Sequence, residues 1–289
     1  MLGMTTGCCR AASAGGGTAT GNDRRSLAML TTTYVPGAPV WVDLGTTDVD
    51  AAAAFYSALF GWEFQSAGPD AGGYGMFTRE GKTVAAAGPL TEQGAQPAWT
   101  LYFHTADADA TAKAVEQAGG TVRLAPFDVF GQGRMAGFAD PAGAQFAVWQ
   151  PRETKGLDEV TVPGTLCWTE LYTTDVEGAK AFYHSALGWA TEDVPMGAFT
   201  YTVVRPSDTG QEASQGGIMP ISPEMASGGV TPRWQPYFEV SDCDAVAAAV
   251  SSHGGTVVMP PADVEGVGRL ALFADPFGAP FAVITSVTP

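Results

Sequence analysis

The chain has 289 residues, 45% of them hydrophobic and 15% charged, with a formal net charge of −16 at pH 7. That composition is globular rather than disordered, and the length allows two domains that each bury a core. The acidity argues against nucleic acid and anionic membranes as partners, since both call for clustered Lys and Arg.

In chain order, residues 1–34 are rich in Gly, Ala, Thr and Ser but lack the compact apolar region of a secretory signal. They are expected to be a disordered N-terminal extension ahead of a natural start at Met29. A strand follows at 40–46, with Trp41, Asp43 and Gly45 on one face and Val42 and Leu44 on the other. Asp48 is placed to cap a helix over 49–60, whose apolar positions recur at helical spacing and which Gly61 ends. Strands are predicted at 74–79 and 83–88. The scheme then restarts: strand 99–105, cap Asp107, helix 108–118, stop Gly119-Gly120, and strands 121–125, 134–139 and 144–149. Residues 151–164 read as a linker closed by Pro163-Gly164. Beyond it, strands are predicted at 166–172, 199–204, 216–220, 234–240, 256–259, 269–274 and 280–285, with helices at 176–187 and 243–253. No stretch approaches the roughly 18 apolar residues of a membrane span.

The second half restates the first. Trp41, Asp48, Phe55-Tyr56 and Gly61-Trp62 return 127 residues later as Trp168, Asp175, Phe182-Tyr183 and Gly188-Trp189. Trp99, Gly133-Arg134 and Asp140-Pro141 return 135 residues later as Trp234, Gly268-Arg269 and Asp275-Pro276, so eight residues were gained between Trp189 and Trp234. A repeat of this length is a duplicated domain. The division is 1–34 extension, 35–150 first domain, 151–164 linker and 165–287 second domain.

Four strand–helix–strand units in tandem, with a Trp-x-(Asp/Glu)-Leu opening and Gly-Arg…Phe-x-Asp-Pro-x-Gly closings, resemble the vicinal-oxygen-chelate superfamily. That group includes glyoxalase I, bleomycin-resistance proteins and extradiol dioxygenases. The likeness covers residues 38–286 and points to an actinobacterial two-domain branch. It implies an α+β fold of two tandem glyoxalase-like domains, each built of two βαβββ modules forming an open, cup-shaped barrel.

The resemblance also locates the positions at which metal-using relatives carry ligands. One lies seven residues before the Asp capping each domain's first helix, another at the like place before its second helix, and a Glu seven residues after the Asp of the Asp-Pro turn. Here these are Trp41, Thr100 and Ala147 in the first domain, and Trp168, Gln235 and Ala282 in the second. Of the six, Gln235 alone can ligate, whereas a divalent ion needs several converging N, O or S donors. The sequence therefore points to no metal and no other cofactor.

Strand parity puts Thr100, Tyr102 and His104 on the face of Trp41 and Asp43, with Ala147 and Trp149 closing the first cup. Trp168, Glu170, Gln235, Tyr237 and Glu239 line the second in the same way. Aromatic walls with a few polar anchors describe a pocket for a small organic ligand. The alternative is that the tryptophans and tyrosines simply fill the cups. Acids on an inward face need partners, and Arg134 and Arg269 are the matched candidates. Asp43 and His104 are the one candidate acid–base dyad. His184 and His253 fall in or at the end of helices. Cys8, Cys9, Cys167 and Cys243 show neither CxxC nor Cys/His metal spacing, which fits a reducing cytoplasm, with Cys167 expected under a helix. No nucleotide-binding or serine-hydrolase motif is present.

The expected function is metal-free binding of a small molecule, in the manner of antibiotic or metabolite sequestration, by a monomer or homodimer. The alternative is a glyoxalase-like lyase or isomerase, or an oxygenase-like enzyme, with a non-standard site.

Overall fold

The computed structural model describes residues 30–287 except 93 and 198. Met29, Cys8, Cys9 and all but the last five positions of the expected extension lie outside the described residues.

The first half runs β1 (Pro39–Thr46), α1 (Val49–Phe60), β2 (Glu63–Ser66), β3 (Gly75–Arg79), β4 (Lys82–Pro89), β5 (Ala98–His104), α2 (Ala108–Gln117), β6 (Thr121–Val129), β7 (Gly133–Ala139) and β8 (Gln145–Pro151). The second runs β9 (Leu166–Thr173), α3 (Val176–Leu187), β10 (Trp189–Met196), β11 (Phe199–Pro206), β12 (Gly216–Pro220), α4 (Pro223–Ser227), β13 (Arg233–Glu239), α5 (Cys243–Ser252), β14 (Thr256–Val264), β15 (Gly268–Ala274) and β16 (Pro280–Ser286). Each half is one eight-stranded sheet, ordered β2-β3-β4-β1-β5-β8-β7-β6 and β10-β11-β12-β9-β13-β16-β15-β14. The opening strands of the two modules pair antiparallel at the centre, β1 on β5 and β9 on β13. Both sheets are open, with free edges at β2 and β6 and at β10 and β14. Among the described residues no helix is long and apolar enough to cross a membrane.

Local chemistry sets the elements. Asp48, Asp107, Asp175 and Asp242 each accept the N–H three residues on, satisfying a donor that the first helical turn leaves open. β2 and β10 went unpredicted: as edge strands they are held by one neighbour and bury little, so no hydrophobic alternation marks them. β6 and β14 run past Pro126 and Pro260-Pro261 because the register shifts there and spares the prolines a ladder bond. The eight added residues divide equally. Four lengthen the β11–β12 connection, and four lie between β12 and β13, which holds α4.

The halves are joined by crossed helix packing, α1 against α5 and α2 against α3. One cluster of buried apolar side chains runs through both. Its seam is built twice. Trp99 Nε1 donates to Tyr56 Oη (3.0 Å), which donates to Asp275 of the other half (3.2 Å). Trp234 donates to Tyr183 (2.8 Å) and Tyr183 to Asp140 (3.1 Å). Each aspartate's second oxygen accepts two amides of its own Asp-Pro turn. Gly120 and Gly255 let the other half's phenylalanine in: a Cβ at Gly120 would stand 2.7 Å from Phe182, and one at Gly255 3.0 Å from Phe55. Tyr183→Phe leaves an indole N–H and a buried carboxylate oxygen unpaired. It is expected to lower stability by about 2 kcal/mol in urea unfolding, with Tyr56→Phe close behind.

Residues 152–164 do more than connect. Leu157 N–H bonds Val40 O, Asp158 pairs with Thr83 through both backbone and carboxylate, and Glu159 binds Arg79 and Lys82. The segment therefore straps strands β1, β3 and β4 of the first sheet together before entering the second.

Candidate functional site

In each sheet the central antiparallel pair carries the inward side chains. A register shift on β1 between Pro39 and Trp41, opposite β5, sets Trp41 against Tyr102 and Asp43 against Thr100. The matching shift in the second half sets Trp168 against Tyr237 and Glu170 against Gln235.

The acids are held by phenols. Asp43 Oδ2 accepts from Tyr74 (3.0 Å) and Tyr102 (2.9 Å), and Trp41 Nε1 donates to Tyr74 Oη (3.1 Å). Glu170 accepts from Tyr201 (2.8 Å) on one oxygen and Tyr237 (2.7 Å) on the other, and Trp168 Nε1 donates to Tyr201 (2.9 Å). The same indole–phenol–carboxyl–phenol cluster is thus present in both cups. Burial pushes the Asp43 carboxyl up to about 6, with the hydroxyls of Tyr102 and Tyr74 pulling the other way. Burial also raises Glu170, against the hydroxyls of Tyr237, Tyr201 and Tyr172. The five tyrosines are raised in turn, chiefly by burial and then by the adjoining acid.

Tyr74 and Tyr201 are the residues sequence reasoning missed. They stand 127 residues apart, the spacing of the other landmarks in that stretch, so the repeat itself marked them. The expected arginine partners are overturned. Arg134 binds Asp109 and Asp128, and Arg269 binds Asp244 and Asp263, tying β7 to α2 and β15 to α5 on the outside. The repeat matches these two arginines with each other but does not say which face of their strands meets the cup.

The structure does not bring Asp43 and His104 together. His104 lies four residues beyond Thr100, about 13 Å along β5, beside Trp149 of β8. Its Nδ1 is buried without a partner among the described residues, and burial lowers its pKa. Trp149 Nε1 donates to Thr154 O (2.9 Å), which fastens the strap to the cup. Trp41, Tyr102, Ala147 and Trp149 are all buried, so the first cup is mostly filled. A cleft of about 470 Å³ still adjoins Trp41, bounded by Tyr34, Met76, Lys155 and Leu157. In the second half Glu239 accepts from the N–H (3.0 Å) and hydroxyl (2.6 Å) of Ser286 and so caps β16. Cys167 is not under a helix: at the register shift it packs with Tyr237, Ala282 and Ile284 inside the cup.

The cups differ at one end. In the second, Arg233 lies over the Tyr172 ring, 4.6 Å from its centre, and donates to Gln235 Oε1 from Nε (3.3 Å) and Nη2 (3.1 Å). Gln235 Nε2 is buried with no partner among the described residues.

A sequence model of the Glyoxalase family, described as the Glyoxalase/Bleomycin resistance protein/Dioxygenase superfamily, matches residues 38–148 and 165–283. The chain belongs to that superfamily. Anthracycline biosynthesis protein DnrV of Streptomyces peucetius is 43% identical over 88% of this chain and 94% of its own. CFP32 of Mycobacterium tuberculosis (strain CDC 1551 / Oshkosh), whose name carries a provisional glyoxylase assignment, is 39% identical over 87% and 95%. The Mn(II)-bound glyoxalase from Novosphingobium aromaticivorans has the same fold, with a TM-score of 0.59 at 19% identity over 88% of this chain and 85% of that one.

The cups do not fit the divalent ion that many members of the superfamily hold. Among the described residues no three His, Cys, Asp or Glu side chains converge. Gln235 would ligate through Oε1, but that oxygen already accepts from a guanidinium, whose charge repels a cation. The accepting oxygen of Asp43 is committed to two phenols.

Proposed function

We propose that this superfamily member binds small planar organic molecules in its cups without a metal, as a sequestering or carrier protein. The observation that carries the reading is the doubled cluster of indole, phenols and carboxyl built on Trp41 and Trp168, which stand at two of the positions where metal-using relatives place donors. Such a wall offers ring faces for stacking and hydroxyls for orientation, the composition of a ligand pocket. The likeness to DnrV, named for anthracycline biosynthesis, favours fused-ring ligands. Buried, unpaired Cys167 and Cys243 suit a reducing compartment, the cytoplasm. We take the protein to act as a monomer or homodimer.

The test is thermal stabilisation and tryptophan quenching by 1,8-dihydroxyanthraquinone and a panel of related polycyclic compounds. Ligand at a hundredfold excess over Kd stabilises a native protein by about 2.7 kcal/mol. A rise in Tm with saturable quenching is expected, and a flat response across the panel rejects the reading.

One observation favours a catalytic alternative in the first cup. A carboxyl titrating at about 6 is suited to exchanging protons near neutrality, and Asp43 stands between two phenols, one of them bonded to the Trp41 indole that lines the cleft. A lyase or isomerase of this kind would lose turnover in Asp43→Asn. Stoichiometric metal in the purified protein, by elemental analysis, would shift the balance to that alternative.

A further inference from the structure

The second cup holds a cation that makes no direct ion pair among the described residues: Glu170 acts on it through space, but that carboxyl is itself held by Tyr201 and Tyr237. Arg233 is partly buried at the start of β13, and no carboxylate lies within salt-bridge distance of it among the described residues. Its hydrogen bonds go to neutral oxygens, Gln235 Oε1 and the Thr231 carbonyl. In a chain of net charge −16 a surface arginine would readily find an acid. Partly withdrawing a guanidinium from water with no acid in direct contact is costly.

Beside it, Gln235 is 1% exposed and its Nε2 has no partner. A buried amide donor left open is rare in native proteins and calls for an explanation. The bond from Arg233 fixes which way this amide points, because Oε1 faces the guanidinium and the NH2 must face the other way. The Tyr172 ring, stacked on Arg233, supplies an aromatic wall at the same spot. A buried amide donor without a partner and a guanidinium bonded only to neutral oxygens therefore sit side by side against ring faces.

The first cup lacks all of this. By the repeat, Arg233 corresponds to Ala98, Gln235 to Thr100 and Tyr172 to Gly45. The shared indole–phenol–carboxyl cluster is common to both cups, so this donor set is what the second cup adds.

We infer that the second cup is the selective one, and that it takes a planar aromatic anion, a carboxylate or an ionised phenol or enol, held by Arg233 and the Gln235 amide. The inference rests on the binding function proposed above and narrows it to one cup and one charge. Arg233 supplies the charge-assisted bonds, Gln235 Nε2 donates to a second lone pair, and the tyrosine ring covers the ligand's face.

The experiment compares anthraquinone-2-carboxylate with anthraquinone-2-carboxamide, which share ring system and shape and differ in charge. Affinities are read by tryptophan quenching and calorimetry on the full chain. The wild type should bind the carboxylate at least tenfold more tightly than the amide. Arg233→Met should cost the carboxylate about tenfold to a hundredfold, the loss of a hydrogen bond to a charged group, and leave the amide within about threefold. Gln235→Glu, which sets an acid at the open donor, should reverse the preference, and it covers the case in which Arg233→Met fails to fold. Equal binding of the two compounds overturns this inference and leaves the proposed function standing. A carboxylate preference that survives both substitutions also overturns it, since the anion is then anchored elsewhere. If neither compound binds up to its solubility limit, the inference falls, and the anthraquinone panel above decides the function separately.

Discussion

Trp189→Ala is expected to destabilise the whole chain by about 3–5 kcal/mol, the range for emptying a buried large aromatic site. Trp189 is 1% exposed and packs against Tyr183, Phe103 and Trp234 at ring-centre distances of 4.8, 5.0 and 5.7 Å. Phe103 belongs to the other half, so the cavity would open in a core that both domains share. The indole N–H donates to the Gly37 carbonyl (2.8 Å), which also accepts from Gln215 (2.7 Å). Gly37 has φ +83, and a Cβ there would stand 2.6 Å from Leu187 O, so the acceptor rests on a position that only glycine fills without strain. Urea unfolding followed by circular dichroism and by fluorescence should show one transition, shifted to lower denaturant. Trp189→Phe, which keeps most of the ring contact, should recover all but roughly 1 to 2 kcal/mol of the loss, the hydrogen bond's share. If Trp189→Ala instead splits the unfolding into two well-separated transitions, the halves are independent and the shared core does not carry the stability.

Asp43→Asn is expected to make the protein more stable relative to wild type as pH rises. The folded carboxyl titrates at about 6, against 3.8 for an unperturbed aspartate. Below about pH 4 the group is protonated in both states and contributes no penalty. Between there and pH 6 the folded chain keeps a proton that the unfolded chain gives up, so wild-type stability falls with rising pH. Above pH 6 the penalty is complete and amounts to about 3 kcal/mol at most, two pKa units at 1.36 kcal/mol each. An asparagine does not titrate, and its carbonyl can still accept from Tyr74 or Tyr102. Urea unfolding of both proteins from pH 4 to pH 7 tests this. Their difference should grow across that window in favour of the variant, and Glu170, raised in both, cancels from it. A difference that stays flat with pH would show that Asp43 is already ionised when folded at pH 4.

Much of the fold was legible in the sequence because duplication made each landmark testable against its copy. The four capping aspartates, the helices behind them and the central strand pair all follow from spacing. What escaped were features that depend on a neighbour rather than on the segment itself. β2 and β10 exist only because an adjacent strand offers them a ladder. β6 and β14 run on past prolines because a register shift absorbs them. The site was half visible. Trp41, Asp43 and Tyr102 lie on one face by parity alone, as do Trp168, Glu170 and Tyr237. That an arginine would neutralise the acids followed from charge, but the acids took phenols, neutral donors that offset part of the upward push of burial. Arg233 drew no notice because its copy, Ala98, gave nothing to compare it with.

The seam has a consequence for how the two halves can change. The paired bonds that build it are reciprocal: each half lends its turn aspartate to the other half's tyrosine, and Gly164 accepts from Trp62 (2.7 Å) as Gly37 does from Trp189. Two identical halves would satisfy it as well as two different ones, so an ancestral homodimer could have been held in the same way. Fusing such a pair into one polypeptide ends the obligation for both pockets to carry the same side chains. The shared seam stays under joint constraint, while Gly45, Ala98 and Thr100 in one pocket can become Tyr172, Arg233 and Gln235 in the other without a matching change across the axis.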